Sequence, residues 1–266
     1  MDKGIFPFKV GDFEVFVLVE AEREGSASIL PSATDEILKK YIPAQGFIHG
    51  CNAFLVKTQG SNILIDCGTG MDDVIINKMI SLGVEAKDLD TVLITHLHGD
   101  HIGCLLQGDI PNFPNASIYF DAKEKEFFTK TSINEGAVKT LDSYASRVKT
   151  FSASSLTASI KEIVPGISAI ANYGHTPGHT VYLIESKEEK LLVAGDFLHI
   201  ALIQFPHPEL SATYDNDKDE AAASRREILD YAAKNKIPLG AMHLSYPGIV
   251  NVIAAGSGYS FEDLNP

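Results

Sequence analysis

Ten consecutive residues, THLHGDHIGC at positions 95–104, limit what this chain can fold into more than any other stretch. Four of them can bind a metal ion: His96, His98, Asp100 and His101. They follow the apolar run LDTVLIT, which is typical of a buried strand that ends at His96. On an extended backbone, His96 and His98 point to the same side, and Gly99 permits a tight turn after them. The spacing favours metal binding where a strand ends.

Further metal-binding residue types follow later in the chain, again close to the ends of apolar runs. The run LLVAG ends at Asp196, LGAM ends at His243, and the stretch GHTPGHT contributes His175 and His179. Sites in layered α/β folds tend to lie where strands end, so we expect these side chains to meet. Imidazoles and carboxylates without thiolates argue against a closed structural zinc site and suit zinc, iron or manganese. Such a set can hold two adjacent metal ions.

The order of predicted elements indicates a mixed α and β architecture. Strand patterns come in meandering pairs interrupted by helical patterns, which suggests sheets covered by helices rather than a strict βαβ barrel. The clearest helix is NDKDEAAASRREILDYAAKNK, with an acidic start and a basic end, and NVIAAGSGYSFE is predicted as a closing strand. We find no repeat and no linker, so residues 1–266 are predicted to form a single domain.

Composition excludes several classes of partner. The formal net charge is −13 and the basic residues do not cluster, so nucleic acid is not an expected partner. No apolar run approaches membrane-spanning length, and no membrane partner is expected. The three cysteines, Cys51, Cys67 and Cys104, form no disulfide framework. With no signal-peptide pattern at the start, a cytoplasmic location is expected unless a leader has been removed.

The motif THLHGDH resembles the HxHxDH signature of the metallo-β-lactamase superfamily. A later His, an Asp after a strand and a C-terminal His follow in the expected order, so the resemblance spans roughly residues 50 to 250. It implies a four-layer αββα sandwich with a metal site along one edge. The stretches GDFLHIALIQFPHPEL and HLSYPGI resemble the methyl parathion hydrolase-like branch, to which acyl-homoserine lactonases are close relatives.

The resemblance also implies a role for each residue of the motif. His96, His98 and His179 would hold a first metal, and Asp100, His101 and His243 a second, with Asp196 bridging the two. His175 would support the site without binding metal. Where lactonases carry a carbonyl-polarising tyrosine, three residues after the bridging Asp, this chain has His199, which can donate a similar hydrogen bond. Asp100 and His199 are therefore the predicted catalytic residues. The cofactors would be two divalent ions, zinc first, with iron or manganese as alternatives.

The activity implied is hydrolysis of a small-molecule ester, lactone or phosphotriester by a hydroxide that bridges the metals. Two ions lower the pKa of such a water towards about 7. Alternatives on the same fold are a di-iron or mono-iron redox enzyme, a thioester hydrolase similar to glyoxalase II, and a metal-free scaffold. Asp196 stands where one major lactamase class has Cys, which argues against β-lactams. The resemblance leaves a homodimer open.

Other polar and aromatic residues are predicted to be structural. His49 and His207 are not paired with any site in the sequence, so hydrogen-bonded structural roles are favoured for both. Asp66, in LIDCGTG, is expected to support a turn, with contact to a ligand histidine as the alternative. Phe47, Phe205 and Tyr246 could line an apolar pocket, although aromatic residues in such stretches are more often core. The two alternatives are equally favoured for Phe205 and Tyr246.

Overall fold

The computed structural model describes residues 4–264, and two seven-stranded β-sheets form its centre. The N-terminal strands are β1 (Ile5–Val10), β2 (Phe13–Glu24), β3 (Ile48–Lys57), β4 (Asn62–Ile65), β5 (Thr91–Leu93), β6 (Leu106–Gln107), β7 (Ile110–Pro111), β8 (Ser117–Asp121) and β9 (Val148–Phe151). The C-terminal strands are β10 (Glu162–Val164), β11 (Ile167–Ala171), β12 (Thr180–Ser186), β13 (Glu189–Ala194), β14 (Leu239–Ala241), β15 (Ile249–Ala255) and β16 (Gly258–Asp263).

Each sheet changes from antiparallel to parallel pairing next to the predicted site. The first has the order β1-β2-β3-β4-β5-β8-β9, antiparallel up to β4 and parallel from β4 onward. The second runs β10 to β16 in order, and its one parallel pair is β13 with β14, in which Ala194 faces Ala241. Parallel strands end at the same edge of a sheet. The residues that follow β4 and β5 therefore emerge together, as do those that follow β13 and β14.

Helices pack around the two sheets. They are α1 (Asp35–Tyr41), α2 (Val74–Ser81), α3 (Gly99–Ile102), α4 (Ala122–Glu126), α5 (Glu135–Ser143), α6 (Ala201–Gln204) and α7 (Lys218–Asn235). Met79 of α2 packs in one outer core and Ile228 of α7 in another. Between the sheets lies a third core, to which Phe54 and Tyr182 contribute from opposite sheets. Burial of apolar surface on both sides of each sheet holds these layers together. The predicted αββα sandwich is confirmed.

The closing strand predicted over NVIAAGSGYSFE is wrong in detail. The structure divides this stretch into β15 and β16, which pair as an antiparallel hairpin with Ala255 opposite Gly258. Gly256, at φ 61°, supplies the left-handed turn between them. Strand-like alternation continues on both sides of such a turn, so the apolar pattern alone conceals it.

Among residues 4–264, no helix is both long and apolar enough to cross a membrane.

Candidate metal centre

The loop after β5 is held by a buried carboxylate at the end of β4. Asp66 accepts hydrogen bonds from the Thr95 backbone N–H at 2.8 Å and from the Thr95 hydroxyl at 2.7 Å. Its Oδ2 also lies 2.7 Å from His101 Nδ1. These contacts fix the start of the motif and turn His101 so that its Nε2 faces away from Asp66. The alternative role foreseen for Asp66, contact with a ligand histidine, is what the structure shows.

A first group of possible ligand atoms comes from four side chains: His96, His98, His175 and Asp196. His175 Nε2 lies 3.2 Å from His96 Nε2 and 3.1 Å from His98 Nδ1, and these two atoms of His96 and His98 are 2.9 Å apart. Asp196 Oδ2 lies 3.4 Å from His175 Nε2. All four ligand atoms lie within 4.8 Å of one another, which is close enough for a single ion to contact them.

A second group shares Asp196 and adds three side chains: Asp100, His101 and His243. Asp196 Oδ1 lies 3.0 Å from His101 Nε2 and 3.2 Å from His243 Nε2. Asp100 Oδ2 lies 3.9 Å from each of these two imidazole nitrogens. The two carboxylate oxygens of Asp196 thus face different groups, which is the arrangement of a carboxylate that bridges two ions.

The polar atoms of the cluster suit divalent cations. His101 Nε2 and Asp196 Oδ1 are fully buried, and neither has an aligned hydrogen-bond partner among residues 4–264, although they lie 3.0 Å apart. Buried polar atoms normally have a partner, because leaving one unpaired costs about 1–3 kcal/mol. Atoms that converge without bonding one another fit coordination of a common cation, and imidazole and carboxylate are ligands that zinc, iron and manganese accept.

The predicted metal-binding role of His179 is contradicted by its contacts. His179 Nδ1 donates to the Asn172 carbonyl oxygen at 2.9 Å, and its Nε2 accepts from the Asp196 backbone N–H at 2.9 Å. Both ring nitrogens are therefore engaged with backbone groups. The position beside His96 and His98 is taken by His175, which the sequence analysis assigned to a supporting role. In the structure His175, and not His179, belongs to the candidate ligand group. His179 orients the start of the segment that carries Asp196.

The other ring nitrogens of the histidines in the cluster are held by fixed partners. His175 Nδ1 lies 3.0 Å from Asp215 Oδ1, and the Arg225 guanidinium lies 3.4 Å from the other oxygen of Asp215. His243 Nδ1 lies 3.0 Å from the Gly50 carbonyl oxygen. Partners of this kind set the tautomer and ring orientation of metal-binding histidines. Asp215 was not singled out from the sequence. For the pair Arg225-Arg226 the sequence favours a solvated helix face, and the structure shows instead that Arg225 is buried.

Burial and mutual charge set the protonation of the cluster. Burial, aided by His175, lowers the pKa of His98 to about 4. Burial and the neighbouring imidazoles of His101 and His98 likewise hold the pKa of His96 well below its usual range. Burial alone would raise the pKa of Asp196, but His243 and His101 keep it well below its ordinary value. Asp196 is therefore a carboxylate, and His96 and His98 are neutral at pH 7, as metal binding requires. Burial opposes a charge on His101 and His243, but Asp196 raises the pKa of both, so these two imidazoles would release a proton when metal binds.

The cluster forms the floor of a cavity of about 570 Å³. His199 reaches this floor, with Nε2 3.3 Å from Asp196 Oδ2 and its ring stacked on His243 at 5.2 Å between centroids. The walls come from residues outside the motif, among them Glu24, Phe47, His49 and Tyr214. His49 was predicted to be structural, and the sequence offers no signal that pairs it with the site. Its ring centroid lies 5.5 Å from that of His243.

Two aromatic residues considered for the pocket lie elsewhere. Phe205 is fully buried and packs against Phe261 at 4.6 Å between ring centroids. Tyr246 contacts Phe6 edge-on at 6.1 Å and does not line the cavity. Of the aromatic residues that do line it, Tyr214 is 57% exposed and lies 5.6 Å from the His199 ring.

Comparisons with known proteins agree with this geometry. A family model described as the metallo-beta-lactamase superfamily matches residues 47–237. Lactamase-like protein aptB of Emericella nidulans is 30% identical over 182 residues, which are 65% of this chain and 50% of that protein. Lactamase-like protein nscB of Trichophyton rubrum is 28% identical over 200 residues, 73% of this chain and 53% of that protein. The chain spans about half the length of the curated relatives it matches.

Two solved structures match almost the whole chain. Hydrolase AbOPH, described as belonging to the beta lactamase superfamily, is 28% identical with a TM-score of 0.87, covering 100% of this chain and 99% of its own. AidC, described as a dizinc quorum-quenching lactonase in complex with a product, is 27% identical with a TM-score of 0.87, covering 98% of both chains. The superfamily predicted from the motif is thereby confirmed.

Proposed function

The chain belongs to the metallo-beta-lactamase superfamily, and on that premise we propose that it is a dinuclear, metal-dependent hydrolase of neutral small-molecule esters, lactones or phosphotriesters. The observation that carries the proposal is the pair of ligand groups that share Asp196 on the floor of a cavity. His96, His98 and His175 would hold one ion with Asp196, and Asp100, His101 and His243 would hold the other. Zinc is the favoured metal, and the dizinc description of AidC supports this choice.

When bound, two divalent ions supply hydroxide near neutral pH and polarise the oxygen of the group under attack. Among the chain's own residues, His199 is proposed to orient the substrate. Burial lowers its pKa, so the ring is neutral and carries a single N–H. With Nε2 facing the floor beside Asp196, that N–H can donate to the substrate oxygen that gains charge.

Asp100 is proposed to move the proton. Its side chain is 38% exposed, whereas Asp196 is buried, so Asp100 alone of the two carboxylates reaches toward incoming substrate. A carboxylate oxygen in that position can take the proton released on attack and pass it to the leaving oxygen. His101 and His243 lie 3.9 Å from Asp100 Oδ2 and limit its orientation.

The charge of the cavity favours a neutral substrate. Among residues 4–264, no lysine or arginine lines it, and Glu24 adds a negative charge to the wall. A substrate with its own carboxylate, such as a β-lactam, would find no cationic side chain to pair with there, and a polyanion would be repelled. Phe47 and Tyr214 offer apolar surface to the rest of the molecule.

The test is proton release in weakly buffered solution over a panel of neutral esters, lactones and phosphotriesters. We expect acid production that a chelator abolishes and that Asp196→Asn also abolishes. Asp109→Asn is the matched control, because Asp109 is exposed and pairs with Lys139 at the surface. The proposal would be contradicted if protein that holds two ions produced no acid from any member of the panel. Acid production that continues in the presence of the chelator would also contradict it.

A further inference from the structure

A carboxylate outside the metal cluster lies between the two loops that supply the first ligand group. Glu124 belongs to the short helix α4, and its side chain is fully buried. Burial raises the pKa of this carboxyl, while the Thr176 hydroxyl and two backbone N–H groups act in the opposite direction. A buried carboxyl is costly unless it is hydrogen-bonded, so its contacts indicate why it is there.

Each carboxylate oxygen of Glu124 accepts a hydrogen bond from a different ligand loop. Oε2 accepts from the backbone N–H of Leu97 at 3.1 Å, and Leu97 lies between His96 and His98 in the chain. Oε1 accepts from the backbone N–H of Gly178 at 2.7 Å, three residues after His175. One side chain thus joins the two segments that bring three imidazoles together.

Gly178 has to be glycine for this contact to form. A Cβ built at Gly178 would lie 2.8 Å from the Glu124 backbone nitrogen and 2.9 Å from its Cγ, closer than side chains allow. The loop and the helix approach each other so closely that only a residue without a side chain fits. The close approach brings the Gly178 N–H within reach of the carboxylate.

The second ligand group is held by other means. His101 is oriented by Asp66, and His243 by the Gly50 carbonyl oxygen. We propose that Glu124 is a positioning residue for the first metal alone, setting the separation of the His96–His98 and His175 loops without touching metal or substrate. The inference rests on the proposed dinuclear centre.

The experiment compares zinc binding to the unaltered protein, to Glu124→Gln and to Glu20→Gln. The glutamine keeps the shape of Glu124, but its amide group faces one of the two N–H donors. Glu20 is the matched control: it also accepts two backbone N–H groups, those of Thr69 and Gly70, on a loop that bears no ligand. Zinc is titrated against a competing chelator, and histidine ¹⁵N NMR reports which imidazoles bind at each zinc concentration.

We expect Glu124→Gln to weaken zinc binding at His96, His98 and His175 by about 10- to 100-fold, the usual effect of losing a ligand-orienting partner. Binding at His101 and His243 should change by less than about 2-fold, and Glu20→Gln should leave the first site unchanged. Unchanged affinity at the first site, or an equal loss at both, overturns the proposal. If the unaltered protein binds no zinc, that result contradicts the proposed function itself, and it is thereby distinguished from a failure of the Glu124 proposal alone.

A second measurement covers the case in which Glu124→Gln does not fold. Amide hydrogen exchange is followed in the unaltered, metal-free protein. The proposal predicts that the Leu97 and Gly178 N–H groups exchange as slowly as amides of the central strands, because Glu124 holds them without metal. Exchange at the rate of exposed loops would overturn it. Gly178→Ala, which forces the loop away from Glu124, should reproduce the selective loss of the first ion.

Discussion

The exchange of roles between His175 and His179 gives a sharp prediction for two alanine variants. His175→Ala removes a proposed ligand of the first ion. Loss of a partner that merely orients a ligand weakens metal binding by about 10- to 100-fold, so loss of a ligand is expected to cost more than about 100-fold. His175→Ala should therefore hold one zinc ion per chain at zinc concentrations where the unaltered protein holds two.

His179→Ala should instead lower stability. The variant leaves the Asn172 carbonyl oxygen and the Asp196 N–H buried without their partner. At about 1–3 kcal/mol for each group, the free energy of unfolding should fall by about 2–6 kcal/mol. In a domain of this size, each kcal/mol lowers the melting temperature by about 2–4 °C. At saturating zinc the folded variant should still bind two ions.

The assay for both variants is zinc content by mass spectrometry after dialysis, with thermal unfolding of the metal-free proteins measured in parallel. His207→Ala is a suitable control, because His207 is a partly exposed histidine that pairs with Glu209 away from the cavity. If His179→Ala loses one zinc ion and His175→Ala keeps two, the reasoning from hydrogen-bond partners is wrong and the assignment made from the motif is right.

Three further outcomes are expected. Glu24→Lys should raise kcat/KM for an ester with a carboxylate tail, relative to its neutral analogue, by about 4-fold at low salt, because reversing one charge at about 10 Å in water changes the interaction by roughly 0.8 kcal/mol. Equal ratios in both proteins would exclude the charge argument. Asp66→Asn should weaken the second zinc by about 10- to 100-fold in a chelator competition, because it loosens His101. Burial raises the pKa of Tyr144 to about 12. In the unfolded protein the Tyr144 hydroxyl ionises near pH 10, whereas in the folded protein it stays protonated until about pH 12. The unfolding free energy, measured with denaturant, should therefore fall as the pH rises from about 10 to about 12. It should fall less steeply in Tyr144→Phe.

Strands could be predicted from the sequence where an apolar run ends near a residue that can bind metal. The apolar runs before His96, Asp196 and His243 are the strands β5, β13 and β14, and each residue follows its strand by two or three positions. A buried strand excludes polar residues until it leaves the sheet, which is why this signal is strong. The hairpin of β15 and β16 has its own signal, the turn pair Gly256-Ser257, which the prediction of one continuous strand overlooked.

The ligand set was predictable in type but not in every position. GHTPGHT offers two histidines, and spacing alone does not decide which one faces the metal. That depends on the Asn172 carbonyl, which engages His179, and on Asp215, which orients His175. Both partners come from distant or irregular segments. Glu124 was hidden for the same reason, since its function lies in two backbone contacts that no sequence pattern records.

The most direct test of the account is the number of zinc ions bound per chain by the unaltered protein and by Asp196→Asn, measured by native mass spectrometry at saturating zinc. Asp196 presents one oxygen to each ligand group, so both proposed ions depend on it. We expect two ions in the unaltered protein and at most one in the variant. Two ions retained by Asp196→Asn, or none bound by the unaltered protein, would contradict it.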